Sequence, residues 1–309
     1  MAGHNQENGE RLRGAARLRS LLAEGKGILE CPGVYDGYTA RIALQGGFDC
    51  LYMSGAGVTM SRLGMADLGV ATLNDMRDTA AMIASLDPYT PLIADADTGY
   101  GGPLMVGRTV SEYIRAGVAA LHLEDQVVTK RCGHLLNKQL VSEEEFLARI
   151  KAAVMARAAS NGDIVIIART DALQSLGYEV ARDRLQKAIE MGADVAFLEG
   201  IITTDEGRRI CEDLSPTPVL FNCVSGGVSP ELSSAAAAEL GYRIIIYPTF
   251  ALGPVYAAVF KSATTLKETG CGPSMPPELT PKSVFEVCGL KEAVQFDIEA
   301  GGTLYSSGI

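Results

Sequence analysis

Eight short apolar runs, each followed by a helical segment, constrain this chain more than any other feature. They lie at 27–29, 50–53, 91–94, 119–123, 164–168, 194–198, 218–221 and 243–247. Several are continuously apolar rather than alternating, as strands buried on both faces of a parallel sheet must be. The segments at 36–45, 73–85, 109–116, 142–160, 178–191, 204–214 and 229–240 carry apolar residues at helical spacing. Thr72, Ser142 and Thr203 or Thr204 stand where N-caps belong, and Ser142 with Glu145 reads as a capping box. Gly46, Gly117, Gly192 and Gly241 stand where helices end. The junctions GGFDCLYM, AGVAALHL and MGADVAFL repeat one order of glycine, turn and strand, and GYRIIIYP follows it. This repeat predicts a TIM-type (β/α)₈ barrel in preference to an open doubly wound sheet. The 309 residues then form a single domain. A tail and a first helix, from near Arg11 to Ala23, occupy 1–24, and a C-terminal helical arm with helices at 251–268 and 281–287 occupies 250–309. The arm is more chain than a barrel needs, which suits contacts between subunits.

Composition narrows the partners. A net charge of −10 and no Lys/Arg-rich stripe exclude nucleic acid as an expected partner. An acidic chain still binds an anion if a metal ion or a few placed Lys and Arg residues supply local positive charge. No apolar run approaches the ~18–20 residues that span a bilayer, so no membrane association is expected. The seven cysteines are odd in number, scattered and without a C-x-x-C pair, which predicts reduced thiols and a cytoplasmic location. Three histidines without ligand spacing argue against zinc.

A barrel carries its chemistry on the loops after its strands. Residues 54–57, Ser-Gly-Ala-Gly, follow the second run, and Asp95 and Asp97 follow the third. Glu124 and Asp125 follow the fourth, with Lys130-Arg131-Cys132-Gly133-His134 close behind. The fifth ends in Arg169-Thr170-Asp171, the sixth in Glu199, the seventh in Asn222 and the eighth in Tyr247-Pro248. Asp95 and Asp97 are two apart, which on extended chain turns both to one side. With Glu124 they form a carboxylate cluster that needs a cation, unless it is only a solvated acidic rim. Oxygen donors alone favour Mg²⁺, with Mn²⁺ as the alternative. The amides and hydroxyl of 54–57 suit a carboxylate. Cys132, flanked by Lys130, Arg131 and His134, sits in an electropositive loop that should lower its thiol pKa and fit it for proton transfer. Arg169 suits bidentate carboxylate binding, an ion pair with Glu124 or Glu199, or both. Lys138 reads as an exposed loop residue.

Together YMSGAG, ADADTGYG, HLEDQ and KRCGH, within 34–250, resemble the isocitrate lyase/phosphoenolpyruvate mutase superfamily. In that superfamily the cysteine of KRCGH marks lyases that break C–C bonds, where phosphonate mutases carry asparagine. PGVYDG, TLNDM, GGP and ALGP resemble the fungal 2,3-dimethylmalate lyase branch. The resemblance implies a barrel whose C-terminal helix is swapped between subunits, in a homotetramer built as a dimer of dimers. It implies Mg²⁺ held through Asp95, and partly through water by Asp67, Asp97 and Glu124. It further implies a small anionic dicarboxylate substrate met by Tyr52, Ser54, Gly55, Ala56, Gly133, His134, Arg169, Asn222 and Pro248. Cys132 would then donate the proton, Glu199 would orient Arg169 or relay protons, and Lys130 and Arg169 would join them in catalysis. The loop at 127–139 would close over the site, with Gly133 permitting the motion.

The implied reaction is Mg²⁺-dependent cleavage of a substituted 2-hydroxy dicarboxylate, like 2,3-dimethylmalate, to a 2-keto acid such as pyruvate plus a monocarboxylate. Oxaloacetate hydrolysis to oxalate and acetate is the alternative, then cleavage of 2-methylisocitrate. Methylisocitrate lyases follow KRCGH with an Arg-Pro-Asn-Lys type stretch, whereas this chain has Leu135-Leu136-Asn137-Lys138, without that charge for a third carboxylate. Pro248 stands where oxaloacetate hydrolases of the group carry serine, with Thr249 beside it. A non-catalytic dicarboxylate-binding or assembly barrel is the reading from another class. Thr59, Met60, Val224, Ser225 and Pro248 are the residues expected to line the pocket.

Overall fold

The computed structural model describes residues 11–25, 27–133 and 135–305. Eight parallel strands close into a barrel in chain order. They are β1 (Leu29–Val34), β2 (Leu51–Met53), β3 (Leu92–Asp95), β4 (Ala120–Glu124), β5 (Val165–Thr170), β6 (Val195–Leu198), β7 (Val219–Asn222) and β8 (Ile244–Tyr247). β1 pairs with β8 as well as with β2, so the sheet has no edge. This is the expected (β/α)₈ architecture.

Strand parity divides the core and aims the site. Met53, Ala94, Leu121, Ile166 and Ala196 face outward and bury with helix residues such as Met76, Ile83, Val110, Phe146 and Leu185. Tyr52, Ile93, Ile167, Phe197, Leu220 and Ile246 fill the interior. Side chains on a strand alternate, so the next inward positions are Ser54, Asp95, Arg169, Glu199, Asn222 and Pro248. The inward His122 leads in the same way to Glu124. Apart from His122 and the Tyr52 hydroxyl the interior layer is apolar, and one step further towards the C-terminal rim it turns polar and charged.

The structure corrects several element boundaries. The first strand shares only Leu29 with the expected run at 27–29 and continues through Pro32 and Gly33. Pro32 lies in register with Tyr247. Gly33 lies so close to the Tyr247 carbonyl and Pro248 that a Cβ would not fit. The helix expected at 109–116 begins at Pro103, where proline suits the first turn, and the one expected at 229–240 begins at Ser234, capped by Ser233. The first helix is Gly14–Ala23, and the tail expected before it lies at 1–10, outside the described residues. Residues 54–57 open a short helix, Gly55–Val58, that runs into a π-helical turn, Thr59–Leu63. The left-handed residue after the second helix is Gly47, not Gly46. Ser142 caps its helix, but the Glu145 carboxylate accepts from Arg149 instead of closing a box. Full capping boxes form at Asp36–Thr39, Thr72–Asp75 and Thr203–Glu206.

The arm after β8 holds Leu252–Thr269, Pro281–Val287 and Leu290–Glu299, the last not expected from the sequence. None of these helices has a buried residue, and Tyr256, Phe260, Phe285 and Phe296 are exposed. Among the described residues no helix is long and apolar enough to cross a membrane.

Candidate active site

At the C-terminal rim of the barrel a cavity of about 90 Å³ is lined by residues from separate strands and loops. Tyr52, Ser54, Ala56, Asp67, Asp95, Lys130, Cys132, Gly133, Arg169, Glu199, Asn222 and Pro248 all reach it. Gly55 backs it, packed so tightly on the Asp95 carboxylate that no Cβ fits. Ser54 caps the helix Gly55–Val58, its hydroxyl accepting from Gly57 N–H at 3.2 Å. His134 lies outside the described residues. Val224 lines the cavity as expected, with Thr249 and Leu252, which the sequence reading did not include in the lining. Three expected lining residues do not: Thr59 turns its hydroxyl to Gly55 O, Met60 is exposed and Ser225 bonds Glu231.

Acidic and basic groups are interleaved in this layer. Asp97 does not follow Asp95 along extended chain. Its φ of 46° is left-handed, and its N–H folds back to donate to Asp95 Oδ1 at 2.8 Å. The Lys130 ammonium lies 2.5 Å from Asp67 Oδ1 and 2.6 Å from Asp97 Oδ1. Lys130, one of the expected flanks of Cys132, thus meets two carboxylates while lining the same cavity as the thiol. The other flank, Arg131, donates to Leu136 O at 3.2 Å. Arg169 lies 3.3 Å from Glu124 Oε2 and 3.4 Å from Glu199 Oε2, and grips Asp171 at 3.0 and 3.2 Å. Asn222 donates to Glu199 Oε2 at 2.9 Å. The buried His122 stands between Tyr52, whose hydroxyl lies 3.0 Å from Nε2, and the edge of Phe197. Burial, reinforced by Arg169, drives its pKa down to about 3, so the imidazole is neutral.

The electrostatics call for more positive charge than the chain supplies. Burial pushes Asp97 up to about 6 against the pull of Lys130, with Asp95 and Asp67 adding to the rise. Burial likewise raises Asp95 and lifts Glu124 well above the carboxylate range despite Lys130 and Arg169. Glu124 Oε1 is buried with no hydrogen-bond partner among the described residues. No three Asp, Glu, His or Cys side chains among those residues form a ready coordination shell. Mg²⁺, which takes one or two carboxylates and keeps several waters, does not require one. An all-oxygen donor set, an orphaned carboxylate oxygen and elevated carboxylate pKa values fit such an ion.

The phosphoenolpyruvate phosphomutase family model matches residues 18–267. The chain belongs to the PEP mutase/isocitrate lyase superfamily. Within that superfamily, 2,3-dimethylmalate lyase of Eubacterium barkeri is 42% identical, over 82% of this chain and 86% of its own length. A crystal structure of 2,3-dimethylmalate lyase superposes with a TM-score of 0.94 at 51% identity, covering 97% of this chain and 99% of that one. Oxaloacetate acetylhydrolase with the inhibitor 3,3-difluorooxalacetate gives 0.93 at 50% identity, covering 96% and 100%. Phosphonopyruvate hydrolase, at 27% identity and 0.81 over 93% and 99%, was solved with oxalate and Mg²⁺.

Several residues support this superfamily site in ways that the sequence pattern does not show. Lys138 is not an exposed loop residue. It is buried, donating to Gly133 O at 2.6 Å and lying 2.9 Å from Asp171 Oδ1. Asp125 accepts from Thr170 at 2.5 Å, from the Asp171 N–H at 2.8 Å and from Arg184 at 2.9 Å. Arg149, 1% exposed, holds the carbonyls of Glu124 and Gln126 from outside the barrel. Gln126 in turn brackets the Arg131 peptide groups. Arg149 and Arg184 at helical spacing look like solvated faces. Only the depth of the groove between helix and strand shows what they reach.

Proposed function

We propose that the protein is a Mg²⁺-dependent carbon–carbon lyase. It cleaves a substituted 2-hydroxy dicarboxylate of the 2,3-dimethylmalate kind to a 2-keto acid such as pyruvate plus a monocarboxylate. The observation that carries this reading is the meeting of Asp95, Arg169, Glu199, Asn222 and Cys132 on one cavity, beside oxygen-only carboxylates short of positive charge.

Asp95 would hold the cation, with Asp67, Asp97 and Glu124 acting partly through water, and Mn²⁺ is the alternative ion. The cation supplies Lewis-acid stabilisation of negative charge on an oxygen. As the C2–C3 bond breaks, its electron pair passes to C3 and the hydroxyl proton leaves for a base. The growing charge spreads into the second carboxylate, which Arg169, Asn222 and the first-turn amides of Gly55 and Ala56 hold. Cys132 gives its proton to C3, completing the monocarboxylate. Glu199 keeps Arg169 oriented, and Lys130 holds Asp67 and Asp97. Gly133 and His134 would act as substrate contacts.

A second reading, oxaloacetate hydrolysis to oxalate and acetate, draws on the 50% identity to oxaloacetate acetylhydrolase and on the hydroxyl residue Thr249 beside the cavity. Against it stands Pro248 at the end of β8. The seven free cysteines support a reducing compartment such as the cytoplasm, and the exposed apolar arm supports a homotetramer with exchanged C-terminal helices.

The test is turnover with Mg²⁺ on 2,3-dimethylmalate, 2-methylisocitrate, isocitrate and oxaloacetate. Pyruvate from 2,3-dimethylmalate, lost with EDTA, is the expected result. Oxalate from oxaloacetate would transfer the assignment to the hydrolase reading. Absence of any product would remove the substrate class.

A further inference from the structure

The loop carrying Cys132 is held on both sides by buried side chains for which the proposed chemistry has no use. Upstream, Gln126 donates to Arg131 O at 3.0 Å and accepts from Arg131 N–H at 3.2 Å. Downstream, Lys138 donates to Gly133 O at 2.6 Å and to Asp171 Oδ1 at 2.9 Å. Between them Gly133 lies against Arg169 and Glu199 too closely for any Cβ. Past this point the loop turns outward, with Leu135 and Leu136 exposed and Asn137 left-handed at φ 59°.

Neutralising Asp171 does not account for Lys138. Arg169 already holds both Asp171 oxygens, at 3.0 and 3.2 Å. An ammonium whose side chain is 3% exposed is costly to desolvate unless its donors are met. What Lys138 adds is the bond to Gly133 O, which ties the loop to Asp171, just past β5, the strand that carries Arg169. The loop is thereby fastened one residue from the thiol, and the fastening ends on Asp171, whose carboxylate also holds Arg169, the side chain assigned to the substrate carboxylate.

We propose that Lys138 is a positioning residue: by tying the Gly133 carbonyl to Asp171 it sets the Cys132 thiol over the cavity, in register with Arg169. The catalytic half of this inference rests on Cys132 being the proton donor, whereas the mechanical half does not.

The experiment compares wild type, K138M, K138R and C132S as full-length proteins. Turnover is measured with 2,3-dimethylmalate and Mg²⁺. Alkylation of Cys132 by iodoacetamide, without substrate, is followed by peptide mass spectrometry. In K138M, kcat is expected to fall about 100-fold, as for a misplacement of about 1 Å. KM should stay within about 3-fold, and Cys132 should alkylate about 10-fold faster. K138R, whose guanidinium meets both acceptors, should restore most of kcat and slow alkylation again. Unchanged alkylation in K138M, or a rise in KM at constant kcat, would overturn the proposal. Should K138M fail to fold, K138Q, too short to span both acceptors, takes its place with the same readouts and the same outcomes. A fully active C132S would overturn the proton-donor assignment and with it the catalytic half, while faster alkylation in K138M would still support the latch.

Discussion

At the scale of single residues, what could be read from the sequence depended on reach. Asp95, Glu124, Arg169, Glu199 and Asn222 end strands, and a strand's two-residue period fixes which way its last side chains point. Lys138, Arg149 and Arg184 act at the far end of long side chains, and charge on a loop or helix reads as solvated until the fold gives it something to touch. The proposed chemistry makes Cys132→Ser the informative change: turnover should drop by about 10²–10⁴-fold, the usual worth of a positioned acid, while calorimetry shows the substrate still binding. Asp171 gives a prediction in pH. Burial would raise its pKa, but Arg169 and Lys138 hold it down to about 2 from the ordinary 3.8. A carboxylate with a depressed folded pKa contributes stability that is fully present above 3.8 and is lost as pH falls towards about 2. Urea unfolding at pH 5 and near pH 2.5 should therefore show wild type losing on the order of 1–2 kcal/mol more across that interval than Asp171→Asn. Equal losses would mean the pair does not hold the carboxylate ionised.

Among whole elements, periodicity found the strands and most helices but misread the places where backbone chemistry and packing disagree. β1 extends past the apolar run at 27–29, which ends before Glu30, and tight packing against β8 is what calls for the glycine at 33. The residues at 54–57 looked like an open anion loop and instead begin a helical turn with Ser54 as its cap. Capping motifs were sound guides when both partners were available. Thr72 and Asp75 satisfy each other at the start of Leu73–Leu86, the helix that supplies Met76 and Ile83 to the core. Thr72→Ala should lower stability by about 1 kcal/mol, seen as a lower urea midpoint with an unchanged slope. A change in slope would point to a different denatured state instead.

For the molecule as a whole, closure of the barrel was legible and the placement of its last 60 or so residues was not, because an arm that touches the barrel through Pro281–Val287 against Gly37–Gln45 but leaves its aromatic residues bare would, on the swapped-arm proposal, be placed by a partner's surface. If the arms are exchanged as proposed, light scattering should give a mass about four times the 32.6 kDa of the chain, and apparent Tm should rise with protein concentration. A monomer of concentration-independent Tm would require another explanation for the bare Phe260, Phe285 and Phe296. The pairing of β1 with β8 also has a consequence during synthesis on the ribosome. Leu29 bonds in register to Ile244, so the first strand made must wait for the last. Until then the nascent chain carries an open strand edge at each end of an unfinished sheet, and open edges recruit other chains. The finished barrel offers no such edge, so its exposure to aggregation falls in the interval before strand eight emerges, when chaperones matter most to it.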